Sequence, residues 1–193
     1  MWYVFHGEDE LSRSEAILQL KHKMDPVVGE LNTTTLDGRG LALGELRAAC
    51  DAVPFMSRVR LVIVSDLASS RIPGKPARRK RAEPAANDDL WRDLGAYLPQ
   101  LPESTRLVLS EAQTLPETHR LLGLGREHGG HVRAFAVPVG AGLEQWVRRR
   151  AEAKGVAIAP SALTLLATYI GSNLRLLDQE LEKLAAYLGG SGT

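Results

Sequence analysis

The turn His6-Gly7-Glu8-Asp9-Glu10 follows a short aromatic and β-branched run, Trp2-Tyr3-Val4-Phe5, and leads into an apolar-periodic stretch. In a nucleotide-binding α/β protein this is the place of a phosphate-binding loop. Such a loop needs several glycines exposing their amides, a Lys for the β/γ phosphates and a Ser/Thr for magnesium. Here the turn carries three carboxylates and no Gly-Lys-Ser/Thr. That charge repels a triphosphate, whereas it suits the positive end of a helix dipole. Ser65, Asp66 and Glu111, at the ends of apolar runs, have the types of an acidic magnesium site; the simpler reading is that they cap strand ends. Ser57, His119, His128 and His131 are the candidates for hydrolytic or metal chemistry. No Gly-x-Ser-x-Gly elbow accompanies them, and the one ligand-spaced pair, His128 and His131, straddles Gly129-Gly130. The histidines are expected on solvent-facing loops or helices. Neither a cofactor nor a metal is expected.

Two further stretches point to binding rather than catalysis. Arg71, Lys75, Arg78, Arg79, Lys80 and Arg81 make residues 71–81 strongly basic, among prolines and a glycine. Arg78 to Arg81 could touch nucleic acid. Without interleaved aromatics to stack bases, a solvated loop is the plainer reading. The second stretch is Val53-Pro54-Phe55-Met56, apolar yet placed just ahead of the polar Ser57-Arg58. Such a tip is either folded into the core or offered to a partner.

Composition bounds the rest. A chain of 193 residues has room for one ample domain, or one domain and a small second one. The 24 Lys+Arg against 23 Asp+Glu leave a net charge of +1, which excludes a wholesale basic coat for nucleic acid or membrane. The single cysteine, Cys50, excludes an intramolecular disulfide framework and is expected as a small core residue. No apolar run approaches the roughly 20 residues of a membrane span, and no signal peptide is visible. A cytoplasmic, reducing setting fits.

The elements that would position these residues alternate along the chain. Runs at Trp2–Phe5, Leu31–Leu36, Leu61–Val64, Arg106–Ser110 and His131–Val137 read as five strands. Leu61-Val62-Ile63-Val64 shows no alternation, so it is expected to be buried on both faces, as in a parallel sheet covered by helices. Between the strands lie helical patterns. The first has Leu11, Ile17, Leu18, Leu20 and Met24 as its stripe; the second has Leu43, Leu46, Ala49 and Cys50; two more span 88–98 and 114–124. Residues 67–87 read as a long mobile loop. Past Pro138 the strand signals stop, and three helices follow: Leu143 to Lys154, one capped by Ser161 running to Tyr169, and one from Ser172 or Asn173 through Leu188. The predicted fold class is α/β, a five-stranded parallel sheet sandwiched by helices with a small three-helix domain appended. Receiver domains of signalling systems also have five βα units and strand-end acids, and Asp66 and Ser110 superficially fit. The fifth strand, however, offers no Lys at Ala136-Val137-Pro138.

Taken in order, several segments carry a resemblance. They are Tyr3-Val-Phe-His-Gly-Glu-Asp-Glu-Leu, Thr35-Leu-Asp-Gly, Val53-Pro-Phe-Met-Ser-Arg-Val-Arg-Leu-Val-Ile-Val, Glu144-Gln-Trp-Val-Arg, Gly171-Ser-Asn-Leu-Arg and Gln179-Glu-Leu-Glu-Lys-Leu. The chain resembles the delta subunit of the bacterial DNA polymerase III clamp loader. The resemblance implies an AAA+-like domain over residues 1–139 without a working phosphate-binding loop, a three-helix lid over 140–188, and a linker or tail at 189–193. It implies no ATPase and no catalysis of its own, within a complex that has DNA-directed DNA polymerase (nucleotidyltransferase) activity. The implied role is to grip and open the ring-shaped sliding clamp for loading onto primed DNA. The implied partners are that clamp (the beta subunit) and the gamma/tau and delta-prime subunits. The family's apolar wedge after the second helix maps to Pro54 and Phe55, flanked by Val53 and Met56. The family often has Leu where this chain has Pro54, which stays apolar but fixes the backbone. The family's helical collar has no counterpart after Leu188, which predicts a monomer for this stretch alone. The alternatives are a nucleic-acid module built on the basic loop 71–81 and a degenerate receiver-like signalling domain.

Overall fold

The computed structural model describes residues 1–68 and 84–189. The basic loop 71–81, with Arg78, Arg79, Lys80 and Arg81, lies outside the described residues. The chain divides into two compact units, Met1–Phe135 and Ala136–Thr193.

The first unit holds five parallel strands, β1 (Trp2–His6), β2 (Thr33–Asp37), β3 (Arg60–Ser65), β4 (Thr105–Glu111) and β5 (His131–Ala134), in the order β2-β3-β4-β1-β5. This order differs from the 2-1-3-4-5 arrangement of the flavodoxin-like receivers, so the receiver alternative fails on topology. Among the described residues this unit has the helices α1 (Glu10–His22), α2 (Leu43–Asp51), α3 (Pro84–Tyr97) and α4 (Arg120–Glu127).

The unalternating apolar run of β3 is explained by helices on both sides. Leu61 and Ile63 join Phe5, Val108 and Phe135 against Ala16, Ile17 and Leu20 of α1. Val62 and Val64 join Val4, Leu107 and Leu109 against Leu46 and Cys50 of α2, Trp91 and Leu94 of α3, and Leu121 of α4. Successive side chains of a strand point to opposite faces, so each layer takes every second residue. At about 1.5–3 kcal/mol for each fully buried aliphatic side chain, this double burial outweighs any other term in holding β3 at the centre. The edge strand β2, by contrast, keeps Thr35 and Asp37 exposed. Cys50 is wholly buried, and burial pushes its thiol up to about 12.

Several boundaries depart from the sequence reading. Leu31 is not in a strand: residues Glu30–Asn32 form a 3-10 turn, and the strand begins at Thr33. Leu18 is half exposed, and Ala16 takes its place in the core. The helix around 88–98 starts earlier, at Pro84. The segment 114–119 is loop, and α4 starts only at Arg120, capped by the His119 side chain. The loop stays open because the Thr114 and Leu115 amides are spent elsewhere, on Glu8 and His6. The fifth strand stops at Ala134, short of Val137.

The second unit contains α5 (Ala141–Ala153), α6 (Pro160–Ile170) and α7 (Leu174–Tyr187). Leu143, Val147, Ala151, Leu163, Leu174, Leu177 and Leu181 are buried within it. Ala159 rather than Ser161 is the N-cap of α6, with Pro160 at the first helical position. Asn173 caps α7 as expected, accepting the Leu176 N–H at 3.1 Å. Asp178 of α7 joins Arg150 at 2.5 Å and Lys154 at 3.1 Å, both on α5. The Arg150 hydrogen bond holds the Asp178 carboxyl below the usual range, against the opposing effect of burial.

Candidate functional site: an apolar tip on a fixed base

Helix α2 ends at Asp51, and β3 begins at Arg60. Between them Val53, Pro54, Phe55 and Met56 form the apolar tip picked out in the sequence. The structure leaves it outside the core: Val53 is 85%, Phe55 57% and Met56 80% exposed, with Pro54 half-buried. These are large apolar groups facing water together, which marks a contact surface more than a scatter of single residues would.

The base of the tip is held from several directions. On the helix side, Tyr97 donates its hydroxyl to Asp51 Oδ1 at 2.6 Å, and Thr105 Oγ1 donates to the carbonyl of Cys50 at 2.6 Å. Burial and the Asp51 hydrogen bond push the Tyr97 hydroxyl pKa up, so it stays a neutral donor. On the strand side, the Arg60 N–H binds the Ser104 carbonyl at 2.8 Å. Ser57 Oγ bridges both backbone groups of Val59, each at 3.3 Å.

The tip itself is held by Asn32, a residue the sequence reading passed over. Its side chain is wholly buried. Asn32 Oδ1 accepts the Phe55 N–H at 2.6 Å, and Nδ2 donates to the carbonyls of Phe55 and Val28, both at 2.8 Å. The amide orientation follows from these partners, because a flip would set the NH2 against an N–H and the oxygen against two carbonyls. Met56, next in the chain, takes φ 47, the left-handed region that non-glycine residues seldom occupy. With Pro54, Ser57, Arg58 and Val59 it lines one side of an open groove of about 750 Å³, whose other side is Lys23, Met24 and Asp25, just past the end of α1.

The other candidate chemistries take structural roles. Asp9 caps α1 by accepting the Ser12 N–H at 2.9 Å, and the Arg13 guanidinium donates to the Gly7 carbonyl. Glu8 accepts the Thr114 hydroxyl at 2.7 Å and the Thr114 N–H at 3.1 Å; these bonds hold its carboxyl below the usual range. His6 is buried, and its Nδ1 accepts the Leu115 N–H at 3.2 Å. Gly7, at φ +129, packs so closely that a Cβ there would lie 2.2 Å from the Phe135 carbonyl oxygen. The turn of β1 into α1 is thus filled by its own side chains and by carboxylates, the reverse of a phosphate cradle.

The strand-end acids act as caps. Glu111 Oε1 accepts the Ala68 N–H at 2.7 Å, and Asp66 accepts the Ala112 N–H at 3.1 Å. The histidines do not converge. His119 caps α4 through Nδ1 and meets Trp91 edge-on, the carbonyl of His128 accepts the Trp2 indole N–H, and His131 stacks on Tyr3. His119 and His128 are less solvent-facing than expected, being half-buried, whereas His131 is exposed on β5. No group of three metal-ligating side chains forms among the described residues. Nor is any helix among them long and apolar enough to cross a membrane.

Comparison with known proteins places this arrangement. No curated protein matches the chain by sequence. The solved structure of the Bacillus subtilis DNA clamp loader delta protein is similar over 97% of this chain, with a TM-score of 0.73 at 19% identity. A DNA polymerase III gamma subunit-related protein of Thermotoga maritima is similar over 98% of the chain, with a TM-score of 0.51 at 18% identity. These likenesses concern the fold: an AAA+-like α/β domain with helices appended. The chain spans about half the length of each, 53% and 55%. The profile of the family described as DNA polymerase III, delta subunit, matches residues 3–124, which take in β1 to β4, the turn at Gly7 and the whole apolar tip. With more than half of its residues in that match, the chain belongs to the DNA polymerase III delta subunit family.

Proposed function

We propose that this chain binds the ring-shaped sliding clamp through Val53, Pro54, Phe55 and Met56, and holds it open for loading onto primed DNA. The observation that carries the reading is the exposure of this tip on a base fixed by Tyr97, Thr105 and Asn32. Phe55 is the anchor, because a rigid aromatic entering a pocket is the usual centre of a binding hot spot. Met56 and Val53 flank it, excluding water around the anchor. Pro54 restricts the backbone, so the depth of insertion is set by the loop rather than by adjustment on contact. The turn at Gly7 leaves ATP hydrolysis to neighbouring subunits of the gamma/tau type, with delta-prime completing the assembly. The chain's contribution to DNA-directed DNA polymerase activity is then mechanical and non-catalytic.

The test is a titration of the clamp from the same genome against wild type and Phe55→Ala. Truncating a hot-spot aromatic typically costs about 2–4 kcal/mol, so the variant should bind far more weakly while its thermal midpoint stays unchanged. Unaltered binding would overturn the reading. Binding that needs DNA and falls steeply with salt would instead favour nucleic-acid contact through Arg78 to Arg81.

A further inference from the structure

We infer that Asn32 is a positioning residue for the clamp anchor, setting the presentation of Phe55 from 23 residues away in the sequence. The inference rests on the clamp-binding reading of the tip.

The geometry is that of a strand partner made from one side chain. The Asn32 amide accepts from the N–H and donates to the C=O of the same residue, Phe55, at 2.6 and 2.8 Å. A backbone neighbour in a sheet makes this same pair of bonds. Here no strand is available, since β3 starts only at Arg60. The remaining Nδ2 hydrogen donates to the Val28 carbonyl, in the loop that follows α1. One wholly buried amide thereby joins the α1–β2 connection to the tip.

Two features set this contact apart from general core stabilisation. The bonds go to the backbone of Phe55, which is 57% exposed, so they fix the backbone that carries the ring without burying it. Asn32 itself is anchored independently of the tip. Its own N–H reaches the carbonyls of Val28 and Gly29 at 3.2 and 3.1 Å, and the next residue, Thr33, pairs with Leu61 in the sheet. The direction of control therefore runs from the sheet through Asn32 to Phe55. Freed from it, the tip would sample many orientations, of which few suit a clamp pocket, and the ordering cost would fall on binding.

A double-mutant cycle tests this. Clamp affinity is measured for wild type, Asn32→Ala, Phe55→Ala and the double variant, with thermal midpoints alongside. Asn32→Ala should weaken binding about tenfold or more in the wild-type background and leave binding nearly unchanged in the Phe55→Ala background. Equal losses in both backgrounds, as a general loss of folding would give, overturn the inference and leave the clamp reading standing. A silent Phe55→Ala overturns the clamp reading, and this inference with it. Should Asn32→Ala fail to fold, hydrogen exchange of the Phe55 amide in the wild-type chain decides. Exchange about a hundredfold slower than in an unstructured peptide supports the inference, and exchange at the rate of an open loop overturns it.

Discussion

His6 and Leu115 are joined across 109 residues by a single hydrogen bond, in which the buried Nδ1 of His6 accepts the Leu115 N–H at 3.2 Å. A protonated imidazole could not accept it. Desolvation pushes the His6 pKa below its ordinary value of 6.5, against the raising influence of Glu117 and Glu8, and His119 is lowered in the same way by burial. Because the unfolded chain takes up these protons first, the stabilisation is complete above pH 6.5 and declines as pH falls below it, towards the folded values. Thermal melts between pH 8 and 5 should show the midpoint falling in the acid half of that range. His6→Gln keeps an acceptor and removes the titration, so it should flatten much of the slope, with His119 supplying the remainder.

Gly7 allows no side chain. Its φ of +129 is strained for any L residue, and a Cβ would meet the Phe135 carbonyl oxygen at 2.2 Å. The neighbouring Asp9 N–H and the Phe135 N–H both bond across this junction, which prevents the two segments from separating. Gly7→Ala should cost about 3 kcal/mol in urea unfolding. A cost below about 1 kcal/mol would mean that the turn relaxes freely.

Met56 separates backbone conformation from apolar contact. At φ 47 it carries strain of about 1–2 kcal/mol. Asn tolerates this region and Val does not. Met56→Asn should therefore keep or raise the thermal midpoint while weakening the proposed clamp binding. Met56→Val should lower the midpoint. If both variants melt alike, the left-handed tip is not a fixed feature in solution.

In the second unit, Asp178 ties α7 to α5 through Arg150 and Lys154. Its pKa is lowered from 3.8, first by the Arg150 hydrogen bond, so its stabilisation is present above that value and is lost as pH falls through the folded value. Its side chain is 20% exposed, between the surface and buried limits for an ion pair. Asp178→Asn should accordingly cost about 1–2 kcal/mol at pH 7. The variant should also lack the acid-side decline expected of wild type as pH falls below about 4, as followed by circular dichroism.

Much of this architecture is legible from residue pattern because it depends on periodicity. The unbroken Leu61–Val64 run predicted a strand covered on both faces, and Leu61/Ile63 and Val62/Val64 do divide between two layers. The exposed apolar tip was visible as a misplaced Val-Pro-Phe-Met, although only the structure decides that it faces water. What escaped depends on contacts distant in sequence. Thr114 to His119 has helical composition, yet its amides go to Glu8 and His6, and α4 is delayed to Arg120. Leu31 continues an apolar-Thr alternation, yet Asn32 turns inward to reach Phe55, and that shifts the strand start to Thr33. A buried Asn beside a Thr run looks like any other polar residue until its partner is known.

The sheet order carries a consequence for the birth of the molecule. β1 lies between β4 and β5, so Val4 pairs with Leu109 on one side and Val132 on the other. As the chain leaves the ribosome, its first strand has no neighbour until more than a hundred further residues have emerged. β2 and β3, with Phe55 between them, can pair well before that. Closure over such separations is slow, on the order of milliseconds to seconds for strongly non-local topologies. The apolar tip, which lies between β2 and β3, can thus be in place before the sheet beneath it is complete, so Val53, Phe55 and Met56 face water throughout that interval.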